Sequence, residues 1–226
     1  MKVEIQAGPA FAIGTIDVGA GASAEVKVEA GAMASMTGDV QIETSAQGGL
    51  LGGLKRSVLG GESFFINTFR SPTGGHVAVA AKLPGDLRLL SLTGNTWFVQ
   101  SGSWVASDPD IDVDTKWGGA KTFFGGEGLF LLKCAGSGEV LVSSYGAIIE
   151  REIPAGESYI VDTGHVVAFP EGMTYGVEKA GSWKSTVFGA EGLVVRFQGP
   201  GSIWLQTRSP QDLLGWLKAN LPTNRE

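Results

Sequence analysis

The chain has 226 residues, 43 % of them hydrophobic and 18 % charged, with a formal charge of −6. That length suits one or two ordinary domains or one larger all-β body. The acidic balance, with Lys55-Arg56 as the one adjacent basic pair, argues against nucleic-acid binding, which draws most of its affinity from neutralised phosphates.

The N-terminal Met1-Lys2-Val3-Glu4-Ile5 alternates charged and apolar residues. It matches neither a secretory signal nor an arginine-rich transit peptide, so a cytoplasmic protein is expected. Gly19 to Ala24 mimics a dinucleotide fingerprint, but the alternating Glu25-Val26-Lys27-Val28-Glu29 follows it. The fingerprint needs a helix there, so the dinucleotide reading lapses. The apolar, glycine-rich Gly48 to Leu54 comes next, with Lys55-Arg56 beside it. An apolar loop normally packs against its own body or a neighbouring subunit. The alternative is an interaction loop, formed by Leu50, Leu51, Leu54, Lys55 and Arg56, that touches a membrane surface or a protein partner.

Leu83-Pro84-Gly85-Asp86 reads as a type II turn in which Gly85 supplies a positive φ. Gly128 to Cys134, Gly138 to Ser143 and Tyr159 to Asp162 read as strands, with Phe169-Pro170-Glu171-Gly172 as another turn. Cys134, the single cysteine, is expected to be a buried, inert thiol. At the C-terminus Ser209 caps a helix, Pro210 fits its first position and Asp212 lies three residues after the cap. Leu213, Leu214, Leu217 and Leu221 form its apolar stripe and Pro222 ends it. The stripe is expected to cover a sheet edge or the floor of the core. No run of 18 apolar residues is present, so no spanning helix is expected.

The strongest pattern is repetition. Gly60-Gly61-Glu62, Gly125-Gly126-Glu127 and Gly189-Ala190-Glu191 each precede a small residue and an apolar pair, and their glutamates stand 65 and 64 residues apart. Gly38, Gly102 and Gly164 are 64 and 62 apart, and Gly31, Gly94 and Gly156 are 63 and 62 apart. A fixed period means one supersecondary unit used repeatedly. The expected organisation is a single all-β body, residues 1–209, of three repeats near 24–82, 87–146 and 148–209. A C-terminal helix at 210–221 follows.

Candidate chemistry is sparse. Glu62, Glu127 and Glu191 could line a ligand site between lobes. Equally, as carboxylates among small residues, they can accept backbone N–H groups and lock equivalent turns; this structural role is the expectation. Asp108, Asp110, Asp112 and Asp114 alternate as if along one face of a strand. The first three open like a calcium loop, but Val113 and Gly119 stand where such a loop needs Gly and Glu. A solvated polar face is the commoner outcome for such a run, with a weak cation site at Asp108, Asp110 and Asp112 as the alternative. His76 and His165, with one cysteine, match no zinc spacing. The P-loop, nucleophile-elbow and metalloprotease motifs are absent from the sequence.

Several phrases together resemble one family. They are Leu51-Gly52-Gly53-Leu54-Lys55-Arg56, Gly61 to Phe69, Pro84-Gly85-Asp86, Val99 to Ala106 and Phe197 to Arg208. The family is the bacterial and archaeal relatives of the "altered inheritance of mitochondria" proteins, and the resemblance spans about residues 20 to 210. It implies a fold similar to the tryptophan RNA-binding attenuation protein, with β-sandwich lobes in pseudo-threefold arrangement, often assembled as a trimer. It implies no catalytic residues, and its eukaryotic relatives imply a supporting role at a membrane. Fold likeness alone does not transfer RNA binding.

The expectation is therefore a non-enzymatic, self-assembling scaffold or interaction protein without metal or cofactor, a homotrimer, cytoplasmic or peripheral to a membrane. The low charged fraction, below the usual quarter or so, also favours self-association. The alternative is a small-ligand binder or enzyme with its site between β lobes.

Overall fold

The computed structural model describes residues 1–21, 24–45, 64–114, 130–180 and 192–222. It is an all-β body with one short helix. The first strands are β1 (Lys2–Gln6), β2 (Ile13–Val18), β3 (Glu25–Glu29), β4 (Met33–Met36), β5 (Gln41–Ser45), β6 (Ile66–Arg70) and β7 (Gly75–Ala80). The middle of the chain forms β8 (Leu87–Gln100), β9 (Trp104–Ser107), β10 (Asp112–Asp114) and β11 (Leu131–Ser143). The last strands are β12 (Ile148–Ile153), β13 (Ser158–Asp162), β14 (Val166–Pro170), β15 (Thr174–Lys179), β16 (Leu193–Gln198) and β17 (Gly201–Gln206), followed by α1 (Pro210–Asn220).

The repetition is visible in the ladders. In the last segment β12 pairs β17, β13 pairs β16, β14 pairs β17 and β15 pairs β16. The first segment repeats that order: β2 with β7, β3 with β6, β4 with β7, β5 with β6. In the middle, two long strands do the work of four. The first half of β8 pairs the second half of β11, the second half of β8 pairs the first half of β11, and β9 and β10 both add to β11. In the first segment the matching set starts at β2, with Ile13. Neighbouring segments are stitched by β9 on β3 and by β14 on β8.

Alternation sets which faces are buried. In β3, Val26 and Val28 point inward while Glu25, Lys27 and Glu29 keep partial contact with solvent, as period two requires. β9 and β14 have neighbours on both edges and both faces, so Trp104 to Ser107 and Val166 to Phe169 are buried without alternation. Three cores follow one another along the chain. The first joins Ile16, Val28, Phe69 and Val79 to Val105 and Leu141 of the middle segment. The second joins Leu90, Trp104 and Cys134 to Val167 and Trp204 of the last. The third gathers Phe169, Phe197 and Ile203 around Phe98, with the Phe169 ring 4.8 Å from Tyr175 and 5.0 Å from Phe197.

Three expectations need correction. Gly85 has no positive φ. Its backbone lies in a parallel bridge with Gly146, and a Cβ would overlap the Ser144 carbonyl oxygen. Glycine is needed there for close approach. The glycine register is also shifted in the first segment. Gly31, with φ of 90°, lies between β3 and β4, the place that Gly102 and Gly164 hold before β9 and β14. Gly21, Gly94 and Gly156, all with positive φ, share the preceding position, and Gly94 sits inside the continuous β8. Gly38 belongs to the next connection, between β4 and β5. Finally, no side chain of α1 is buried; Leu214, Trp216 and Leu221 are 54 %, 62 % and 60 % exposed. The cap itself forms, with the Ser209 hydroxyl accepting from the Asp212 N–H at 3.3 Å.

Candidate functional site

Three equivalent turns border a concavity built of described residues. The first is Glu29 to Ala32, closed by the Ala32 N–H on the Glu29 carbonyl at 3.0 Å. The second and third are single 3-10 turns, Ser101–Ser103 and Thr163–His165. The third is pinned by the Gly164 N–H on Asp162 Oδ1 at 2.8 Å. Each turn faces the segment where its repeat ends: Ala81 to Leu83, Ser143 to Tyr145, and Gln206 onward. Together they bound a cavity of about 550 Å³, with Pro210, Gln211 and Leu214 of α1 on its rim.

The lining of this cavity mixes polar groups with apolar side chains such as Phe64, Leu83 and Leu214, and several of the polar groups bond to one another. Glu29 and Lys82 are the only charged side chains among its described lining, and they pair at 2.6 Å. Glu29 is 13 % exposed and Lys82 68 %, so the ammonium leans toward solvent from an anchored carboxylate. Gln206, 7 % exposed, accepts from the Tyr145 N–H at 2.8 Å and donates to the Gly164 carbonyl at 2.7 Å. The Gln206 carbonyl lies 2.7 Å from His165 Nδ1. Thus His165, Gln206 and Tyr145 lock the third turn to the chain ends. The Ser144 hydroxyl donates to the Gly146 carbonyl at 2.6 Å. On the other side of this wall Tyr145, His165, Arg208 and Trp216 help bound a second hollow of about 370 Å³. Such a lining can hold a small molecule by neutral hydrogen bonds and apolar contact.

The residues singled out in the sequence lie elsewhere. Glu62, Glu127 and Glu191 fall outside the described residues, as do Leu50, Leu51, Leu54, Lys55 and Arg56. In the sequence those glutamates stand just ahead of β6, β11 and β16, which are matching strands. Asp108 accepts from the Glu139 N–H at 2.8 Å and from the Met1 ammonium at 2.6 Å. It turns away from solvent-facing Asp110 and Asp112, since 108–111 is a turn, closed by the Ile111 N–H on the Asp108 carbonyl. Among the described residues, no three His, Cys, Asp or Glu side chains gather as a metal would require. Cys134 is buried, and burial first, then Asp112, pushes its thiol up to about 12. His76 is exposed on β7.

Sequence reasoning missed Glu29, Lys82, Tyr145 and Gln206. It also missed a triplet spaced 63 and 63: Gly75 and Gly201, which open β7 and β17, and Gly138, at the matching place inside the continuous β11. A Cβ on Gly75 would lie 2.8 Å from Val40, on Gly138 2.9 Å from Asp108, and on Gly201 2.5 Å from Met173. That regular period was the available signal.

The comparisons with known proteins agree with one another. The family model described as "Mitochondrial biogenesis AIM24" matches residues 3–208. An uncharacterized protein of Streptococcus pyogenes serotype M6 is 29 % identical over 232 residues, covering 99 % of this chain and 92 % of its own length. The X-ray crystal structure of a Streptococcus pyogenes protein superposes with a TM-score of 0.79 at 27 % identity, covering 97 % of this chain and 99 % of that one.

Proposed function

The chain belongs to the AIM24 family, and from that premise we propose that it is a non-enzymatic scaffold or interaction protein that works by associating with itself. One observation carries the reading. β9 and β14 are buried along their length, whereas β4, which holds the same place in the first repeat, is exposed at all four residues, Met33 to Met36. A bare strand edge carrying two methionines invites another strand, and proteins normally protect such edges. The recurring ladder order further supports three lobes of the tryptophan RNA-binding attenuation protein kind, and a trimer is the stoichiometry we expect.

Light scattering at micromolar concentration tests this directly. The expected mass is three times the 23.5 kDa chain; a lone 23.5 kDa species would refute the proposal. A second reading, a small-ligand binder, is favoured by the cavity beside Glu29, Lys82 and Gln206. Native mass spectrometry of the freshly purified protein decides it: a stoichiometric small molecule, lost in Lys82→Ala and Gln206→Leu, supports this second role.

A further inference from the structure

The cavity beside the three turns holds one ion pair, and the repeat makes that pair stand out. Glu29, Gln100 and Asp162 are the last residues of β3, β8 and β13. Their equivalence shows in the ladders: β3 meets β9 with Val28 opposite Ala106, and β8 meets β14 with Val99 opposite Ala168. At the end of each repeat Lys82, Tyr145 and Arg208 stand seven residues after Gly75, Gly138 and Gly201.

The same two positions therefore recur in every repeat, with different chemistry. In the middle repeat both side chains are neutral. In the last, Asp162 Oδ1 accepts from the Gly164 N–H of its own turn at 2.8 Å. Arg208 donates from Nη1 to the Thr207 carbonyl at 3.0 Å and lies at the second hollow. In the first, the two meet as opposite charges, Glu29 with Lys82 at 2.6 Å. A cross-link that the fold required would recur. Two repeats close without it, so holding a repeat shut does not account for this pair.

Its setting suits a ligand. Glu29 is 13 % exposed and Lys82 68 %, which places a fixed carboxylate inside the cavity and a mobile ammonium toward its mouth. An ion pair so open to water contributes little to stability. Lys82 gives Glu29 one of its three N–H donors; the other two have no acceptor among the described residues. Phe64, Leu83 and Leu214 line the same cavity, and Leu214 is left 54 % exposed on α1. A ligand of net charge would bring an uncompensated charge to a pair that already cancels, which is costly in a partly enclosed site. A wholly apolar ligand would cover the pair and give it no partner. A zwitterion avoids both. Its ammonium against Glu29 and its carboxylate against Lys82 complete a ring of four alternating charges in which the existing contact is kept.

We propose that this cavity binds a free α-amino acid with an apolar side chain. Glu29 accepts from its ammonium, Lys82 donates to its carboxylate, and Phe64, Leu83 and Leu214 receive the side chain. The volume of about 550 Å³ lies in the range of small-molecule sites. This rests on the small-ligand reading given above and names its ligand class; it is independent of self-association.

Isothermal titration calorimetry of the full chain, after exhaustive dialysis, tests it with L-leucine, L-methionine and L-phenylalanine. The expected result is saturable binding of at least one of them. The N-acetyl derivative and the methyl ester of that amino acid each lack one charge and should bind at least tenfold more weakly. Lys82→Met, at an exposed position, and Glu29→Gln should each weaken binding of the free amino acid at least tenfold, with the circular dichroism spectrum unchanged. Leu214→Ser should weaken it at least threefold. Equal binding of the free and blocked forms overturns the proposal on the unmodified protein, whatever the variants do. So does binding that Lys82→Met leaves intact. A stoichiometric molecule of another class found by native mass spectrometry, and displaced by none of the three, overturns the amino-acid assignment and leaves the small-ligand reading standing. A protein that carries nothing and binds none of the three defeats both.

Discussion

Replacing Gly85 by alanine isolates the role of the joint between the segments that lead into the second and third repeats. Gly85 has no positive φ, so alanine introduces no backbone strain. Space is the whole effect. A Cβ would overlap the Ser144 carbonyl oxygen and lie 2.9 Å from that of Gly146. Both are backbone atoms and cannot swing aside. Relief requires the two segments to part, which breaks the bonds from Asp86 N–H to Gly146 O (2.9 Å), Gly146 N–H to Pro84 O (3.0 Å) and Ala12 N–H to Gly85 O (2.8 Å). At about 1 kcal/mol net for each, rising where a donor stays buried, the loss is about 3 kcal/mol or more. For a chain of this size that lowers Tm by roughly 6–12 °C. Gly156→Ala is the control. Its φ is 82° with nothing near the added carbon, so only backbone strain of roughly 1 kcal/mol applies. Thermal denaturation followed by circular dichroism reads both. If Gly85→Ala loses no more than Gly156→Ala, the close-packed joint does not hold the repeats together.

Gln206→Leu should destabilise by about 2–4 kcal/mol, since the Tyr145 N–H and Gly164 carbonyl lose their partner; a urea midpoint equal to wild type would contradict this. Cys134 has its folded value raised above that of the unfolded thiol, so its contribution is intact below pH 9, the ordinary value, and is lost as pH rises toward about 12. Denaturant melts between pH 8 and 10.5 should show this decline and Cys134→Ala should flatten it. The native thiol should also resist a disulfide reagent at pH 8. The Lys133 hydrogen bond and charge hold the Glu171 carboxyl below its usual range. Its contribution is therefore present above the unfolded value and lost as pH falls through the folded one. Carbon-detected NMR titration should place the Glu171 midpoint below that of Lys133→Ala; coincident curves would remove the pair from the account.

How far the sequence could be read depended on local regularity. β3 and β13 followed from alternation, and α1 from Ser209, Pro210 and Asp212, because those signals lie within a few residues. Repetition was legible because 63 residues separate truly equivalent glycines. Its register in the first repeat was not. With 35 glycines, chance coincidences abound, and the glycine-rich segment from Gly48 has no counterpart, so it slides Gly31 and Gly38 against their partners. The Asp108 run misled for another reason. Alternation assumed a strand, but the chain turns at 108–111 and sends Asp108 to the Glu139 amide. The cavity was invisible because Glu29, Lys82 and Gln206 come from two repeats and meet only after the ladders form. The exposed stripe of α1 shows the opposite limit: amphipathic spacing reveals an apolar face, but not whether its own chain covers it.

The middle repeat differs from its neighbours in continuity. β8 and β11 run unbroken within the ten-stranded sheet, matched at 12 residue pairs in all around one bulge, where the outer repeats use separate strands and turns. Amide protons along this ladder should exchange only when the molecule opens as a whole, while those of β1, β4 and β13 at the sheet margins should be released by smaller, local excursions. The molecule would then loosen from both ends toward its centre, with the β8–β11 ribbon as the last structure to melt and the first that refolding must recover.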